Sequence, residues 1–144
     1  FPMLAKVITL SPFIPSYLAS LGGNPDRVKK LLNSTGSRLS GVQINFYKRL
    51  FKEKSHVEGA LLMMSQWNLD RLLLRLSELR TTTLLIAGDQ DKTVSPQISS
   101  QIANMLPNGE FRILAGLGHL AHEEDPERIL DIITTFTANK TNRD

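Results

Sequence analysis

The sequence has no cysteine. Disulfide bonds, thiol chemistry and cysteine-ligated zinc are therefore excluded. It also lacks a long apolar run, because its longest uncharged segment, residues 7–25, contains two internal prolines and three serines. Such a segment is a poor membrane span, so we expect no transmembrane helix. No signal-peptide pattern is present either, and we expect a cytoplasmic protein.

Acidic residues are scarce in the first part of the chain and basic residues in the last. Residues 1–80 hold 12 Lys and Arg against 5 Asp and Glu, a net charge of +7, whereas residues 81–144 hold 5 against 9, a net charge of −4. The basic part has no compact block of basic residues, and its charges alternate with apolar positions, as on solvated helix faces. We therefore expect no nucleic-acid partner.

What is present is enough for an ordinary globular core. The chain has 144 residues, of which 41% are hydrophobic and 22% charged. A chain of this length buries about two thirds of its unfolded surface and needs no metal or disulfide for stability. It opens at Phe1 without a methionine, as expected of a piece of a longer protein or of a chain from which a tag has been removed.

Residues 1–80 predict a series of short helices separated by Pro, Gly and Asn. Asn24 and Pro25 are typical of a helix start. Ser55 and Glu58 have the spacing of a capping box, and Asn68 is predicted to cap the last helix. The apolar positions at helical spacing are Leu4, Val7 and Ile8; Ile14, Leu18 and Leu21; Val28, Leu31 and Leu32; Val42, Phe46, Tyr47 and Leu50; and finally Leu69, Leu72, Leu73, Leu76 and Leu79.

The pattern changes after Arg80. Residues 82–87 are apolar and β-rich on consecutive positions, which predicts a strand buried on both faces of a parallel sheet. A helix through Ile98, Ile102 and Leu106, a second strand over residues 111–114 and a final helix from Asp125-Pro126 follow. The final helix has Ile129, Leu130, Ile133 and Phe136 on one side. Two strands do not make a covered parallel sheet, so we expect missing strands and self-association through unpaired edges.

Polar side chains follow both predicted strands. Asp89 and Asp91 come after the first strand and His119 after the second, at the sheet edge where α/β proteins bind ligands. A carboxylate that is hydrogen-bonded to one imidazole nitrogen leaves the other nitrogen free to act as a base. We expect Asp91 and His119 to form such a pair, with Gly116 and Gly118 bending the backbone. The alternative is that Asp91 caps a helix and His119 is an exposed loop residue.

These segments resemble the C-terminal part of the α/β-hydrolase family. The resemblance rests on Gly88-Asp89-Gln90-Asp91-Lys92-Thr93-Val94 and on Gly116-Leu117-Gly118-His119. It implies an α/β fold, with Asp91 as the acid and His119 as the base of a Ser-His-Asp type triad, in the family's chain order. It also implies that residues 1–80 form a helical lid and residues 81–144 the last strands and helices of the hydrolase core.

Within residues 1–80, three segments resemble the magnesium-chelatase accessory proteins of chlorophyll and bacteriochlorophyll synthesis. They are residues 11–15, 35–39 and 63–69. This resemblance implies a small apolar or tetrapyrrole-like substrate and magnesium chelatase as a partner. Met63, Met64 and Trp67 are then candidate substrate-binding residues, because soft and aromatic side chains line pockets for flat apolar ligands. The alternative is that they belong to the core.

No segment of the chain fits the nucleophile elbow, G-x-S-x-G or its Asp variant. The resemblance therefore implies that the nucleophile lies outside this sequence and that the chain alone is inactive. One alternative is a non-catalytic module that binds a tetrapyrrole or a protein partner.

Two further alternatives use the same residues. Asp89 and Asp91 match the first motif of haloacid-dehalogenase-like phosphatases, although no later segment offers the lysine and paired aspartates that such enzymes need for magnesium and phosphate. His119 and His122 have the spacing of metal ligands, yet two histidines without a third ligand are a weak signal. We expect no metal and no cofactor.

Overall fold

The computed structural model describes residues 24–141, with side chains up to residue 139. The helices predicted around Leu4 and Leu18 lie outside the described residues. The described chain forms two compact units, one of residues 24–31 and 40–73 and the other of residues 32–39 and 74–141. No helix within the described range is long and apolar enough to cross a bilayer.

The first helix, α1, spans Pro25–Ser34 and begins where the sequence predicts. The Asn24 side-chain oxygen accepts the backbone N–H groups of Asp26 at 2.9 Å and Arg27 at 3.3 Å, so it satisfies two donors that the helix start leaves unpaired. Val28 and Leu32 are buried as predicted. The expectation for Leu31 is wrong: its side chain is 41% exposed, because it lies beside the narrow stripe that Val28 and Leu32 bury.

Two longer helices follow and pack on each other, α2 over Gly41–Lys52 and α3 over Lys54–Ser65. A capping box starts α2, in which Ser40 and Gln43 satisfy each other's backbone N–H groups. The capping box predicted at Ser55 and Glu58 is wrong. Since α3 begins one residue earlier than Ser55, Glu58 lies one turn after Lys54 and forms an ion pair with it at 3.4 Å.

The predicted leucine helix is broken into two short turns, α4 over Asp70–Leu73 and a 3-10 turn over Leu76–Glu78. The Asn68 side-chain oxygen accepts the N–H of Asp70, the first residue of α4, at 3.2 Å, but the residue at the N-cap position is Leu69, whose carbonyl accepts the N–H of Leu73. Of the five leucines at helical spacing, only Leu76 is buried. Because the helix is interrupted between Leu73 and Leu76, the five leucines do not form one continuous helical stripe.

The second unit contains the predicted order of strand, helix, strand and helix. Strand β1 spans Thr83–Gly88, helix α5 Pro96–Met105 and strand β2 Gly109–Leu114. The strands are parallel, and α5 crosses between them and packs on both. A short helix α6, Ala121–Glu124, and the final helix α7, Pro126–Thr141, complete the unit.

This sheet is only partly covered. Residues 83–86 of β1 are half-buried, and Ala87 and Gly88 are buried. The prediction that both faces of the strand are buried is therefore wrong for most of β1. On α7, Ile129 and Phe136 are half-buried, whereas Leu130 and Ile133 are exposed. Because the two strands formed by the described residues present too little surface to cover these side chains, apolar surface stays open to solvent.

Candidate functional site

The site lies at the carboxyl ends of β1 and β2. The strand register pairs Gly88 with Leu114, so the loops that follow the two strands leave the sheet side by side. Asp91 stands in the first loop and His119 in the second. The structure brings these side chains together: Asp91 Oδ2 lies 2.9 Å from His119 Nδ1.

The Asp91 carboxylate is held on both of its oxygens. Oδ1 accepts the backbone N–H groups of Thr93 at 2.7 Å and Val94 at 2.9 Å, while Oδ2 faces His119. Its side chain is 7% exposed. Burial by itself raises the pKa of Asp91, but the hydrogen bonds from Val94, His119 and Thr93 outweigh it, so the pKa lies below its ordinary value. Asp91 is therefore ionised at neutral pH.

An ionised carboxylate only accepts hydrogen bonds, so the proton between the two side chains resides on His119 Nδ1. This leaves Nε2 of the neutral imidazole as an acceptor, and Nε2 has no hydrogen-bond partner among residues 24–139. The His119 side chain is 37% exposed. The arrangement can therefore take up a proton at Nε2 and stabilise the resulting imidazolium through Asp91.

The pair faces a pocket of about 370 Å³. Residues of β1 and α7, including Ile86 and Ile129, form part of its wall, and Ser99 of α5 also lines it. His122 also lines the pocket, but its side chain is mostly exposed and its Nε2 lies 3.8 Å from the neighbouring Glu123 carboxylate. The described residues hold no group of three or more His, Cys, Asp or Glu side chains arranged for a metal ion.

Asp89 has a different role from its neighbour Asp91. Its Oδ1 accepts the backbone N–H of Gly116 at 2.8 Å, a hydrogen bond that connects the loop after β1 with the loop after β2. Gly116 adopts φ +81°, a left-handed conformation that favours glycine and turns the chain out of β2. The bend expected at Gly116 is confirmed, and the carboxylate of Asp89 is engaged in holding it.

Gly118 serves close packing rather than bending. A Cβ at this position would lie 2.4 Å from the backbone of Gly36 and Ser37. A Cβ on Gly88 would similarly lie 2.1 Å from the carbonyl oxygen of Leu117. The absence of side chains at these glycines lets three backbone segments stack directly beside His119.

Residues 35–38 form the third of these segments, which the sequence did not connect to the site. The carbonyl oxygen of Thr35 accepts the N–H of Lys92 at 3.0 Å, and the Ser37 hydroxyl accepts the N–H of Leu120 at 2.8 Å. The Glu124 carboxylate accepts the N–H of Arg38 at 2.9 Å. The resemblance of residues 35–39 to the magnesium-chelatase accessory proteins places this segment in the lid, and its Gly-Ser pair after a helix is typical of any turn, so neither signal connects it with Asp91 and His119.

The predicted substrate-binding residues belong to α3 and the turn after it. Met63 and Trp67 are exposed and Met64 is half-buried. The pocket described above is lined by residues of the second unit alone. Substrate binding by Met63, Met64 and Trp67 stays a prediction.

Comparison with known proteins finds that residues 5–126 match the family model described as the alpha/beta hydrolase fold. The chain is 35% identical over 123 residues to the magnesium-chelatase 30 kDa subunit of Rhodobacter capsulatus, a match that covers 85% of this chain and 43% of that protein. It is 26% identical over 127 residues to the uncharacterized hydrolase YugF of Bacillus subtilis, covering 87% of this chain and 46% of that protein.

A third relative is the sn-1-specific diacylglycerol lipase ABHD11 of Mus musculus, 27% identical over 81 residues, or 49% of this chain and 26% of the lipase. The chain thus spans less than half the length of each of these relatives.

Proposed function

The chain belongs to the α/β-hydrolase family, and from this premise we propose that it carries the acid and the histidine of a Ser-His-Asp type triad. Asp91 is the acid, His119 is the base, and the nucleophile lies outside this sequence. One observation carries the proposal: Asp91 Oδ2 and His119 Nδ1 lie 2.9 Å apart at the ends of adjacent parallel strands, beside a pocket.

In this proposal the reaction is acyl transfer. His119 Nε2 takes the proton of the nucleophile's hydroxyl as that oxygen attacks the acyl carbon, and the imidazolium then gives the proton to the leaving group. Asp91 keeps the Nδ1–H tautomer and stabilises the imidazolium without accepting its proton, in keeping with the lowered pKa of Asp91. Because no segment fits a nucleophile elbow, the chain alone is expected to be inactive toward esters.

We assign residues 1–80 to the lid of the hydrolase and residues 81–144 to its core. The lid would select a small apolar or tetrapyrrole-like substrate through Met63, Met64 and Trp67, of which Met63 and Trp67 expose apolar surface. The 35% identity to a magnesium-chelatase subunit supports this substrate class and supports magnesium chelatase as a partner.

A chimera tests the catalytic proposal. This chain would replace the segment that it matches in the Bacillus subtilis protein YugF, a relative named as a hydrolase, and the folded chimera would be assayed for labelling by a fluorophosphonate and for hydrolysis of an aryl ester. We expect both, with Asp91→Asn and His119→Ala lowering turnover by roughly 10³ to 10⁴-fold. Glu127→Gln is the matched control, because it neutralises an exposed acidic residue in the first turn of α7. Turnover that survives His119→Ala would refute the role of His119.

A second candidate is a non-catalytic module that binds a tetrapyrrole or a protein partner. Two observations favour it: the sequence lacks a nucleophile elbow, and one relative is named as a chelatase subunit. Titration of the chain with a free-base porphyrin separates the candidates. A saturable absorbance shift that Trp67→Ala abolishes, together with a folded chimera that does not hydrolyse esters, would favour binding over catalysis.

A further inference from the structure

Both neighbours of His119 are anchored by side-chain acceptors. On one side the backbone N–H of Gly118 donates to Glu124 Oε1 at 2.8 Å. On the other side the N–H of Leu120 donates to the Ser37 hydroxyl at 2.8 Å. The backbone that carries the imidazole is therefore fixed immediately before and immediately after His119, by two residues that stand far apart in the sequence.

The two anchors are joined into one structure. Glu124 Oε2 accepts the N–H of Arg38 at 2.9 Å, so a single carboxylate holds both the His119 loop and the residue next to Ser37. Ser37 is 1% exposed, which shields its hydrogen bond from water. A carboxylate suits this position because both of its oxygens accept hydrogen bonds, and both donors here are backbone N–H groups.

The same segment also holds the loop of the acid. The carbonyl oxygen of Thr35 accepts the N–H of Lys92, the residue directly after Asp91, at 3.0 Å. Residues 35–38 thus accept hydrogen bonds from Lys92, which follows Asp91, and from Leu120, which follows His119. A displacement of this segment would change the separation of the two side chains, since each of their loops is bonded to it.

We propose that residues 35–38 and Glu124 form a clasp that sets the geometry of the Asp91–His119 pair, with Ser37 and Glu124 as positioning residues. This inference rests on the proposed function, because positioning has a purpose only if the pair is catalytic. Neither residue faces a reacting atom in this scheme. They act through the backbone on either side of the imidazole.

The test measures the tautomer of His119 in the intact chain by long-range ¹H–¹⁵N correlation, together with amide hydrogen exchange. We expect Ser37→Ala and Glu124→Gln to give His119 a mixture of tautomers. Exchange should become roughly tenfold or more faster at Leu120 in the first variant and at Gly118 or Arg38 in the second. Glu124→Gln keeps the shape of the side chain but has one acceptor oxygen instead of two. Glu127→Gln is the control and should leave His119 unchanged.

Asp91→Asn separates failure of the clasp from failure of the proposed function. If Asp91→Asn changes the tautomer of His119 whereas Ser37→Ala and Glu124→Gln do not, the positioning role of the clasp is refuted and the proposal of an Asp91–His119 pair is retained. If Asp91→Asn also has no effect, the pair itself is wrong. Should Glu124→Gln fail to fold, Ser37→Ala decides alone, because it removes one oxygen from a small buried side chain.

Discussion

Replacing Gly118 by alanine tests the close packing around His119. The added Cβ would lie 2.4 Å from backbone atoms of Gly36 and Ser37, and backbone cannot move aside as a flexible side chain can. Overpacking of this kind costs about 1–3 kcal/mol. Separating the segments also weakens the Ser37–Leu120 hydrogen bond, which contributes about 1 kcal/mol. We therefore expect Gly118→Ala to lower the free energy of unfolding by about 3 kcal/mol.

Urea denaturation followed by circular dichroism measures this change. With a slope of about 1.5 kcal/mol/M, typical for small proteins, the unfolding midpoint should fall by about 2 M. Gly59→Ala is the matched control, because a Cβ there meets no atom within 4 Å and Gly59 lies inside α3. The control should be stabilised by about 0.5–1 kcal/mol. A Gly118→Ala variant as stable as the unsubstituted chain would refute the packing argument.

Two further predictions concern helix capping and acid stability. Ser40→Ala should lower the free energy of unfolding by about 1 kcal/mol, because Ser40 caps α2. Ser55→Ala should change it by less than about 0.5 kcal/mol, because Ser55 does not cap α3. Denaturation of both variants checks this. Because the folded pKa of Asp91 is depressed, its stabilising contribution is present above the ordinary aspartate pKa of about 4 and is lost as pH falls through the folded pKa. The stability difference between the chain and Asp91→Asn should therefore shrink below pH 4, and a difference that stays constant would contradict this account.

The elements that the sequence predicts well are those with local causes. Asn24 and Pro25 mark the start of α1 because capping depends on groups within three residues. The order of β1, α5 and β2 follows from a change in apolar period and from turn residues. Once the strands are parallel and adjacent, their carboxyl ends must meet, which is why Asp91 and His119 could be placed at one edge from the sequence.

The features that the sequence does not predict depend on contacts between distant residues or on which of several neighbouring residues begins or ends a helix. Leucines at helical spacing predict one helix after Asn68, but spacing does not show where the chain turns, and only Leu76 is buried. Ser55 and Glu58 fit a capping box, yet α3 starts one residue earlier and Glu58 pairs with Lys54. The contact between Ser37 and Leu120 spans 83 residues, so no local pattern predicts it.

The tautomer of His119 is the most direct test of the central claim that an aspartate orients this imidazole. The chain has three histidines, and His56, exposed near the start of α3, serves as the internal reference. In the neutral state we expect the long-range ¹H–¹⁵N spectrum to show the His119 proton on Nδ1 alone, while His56 shows the mixture of tautomers of a solvated imidazole. A His119 signal indistinguishable from that of His56 would contradict the claim.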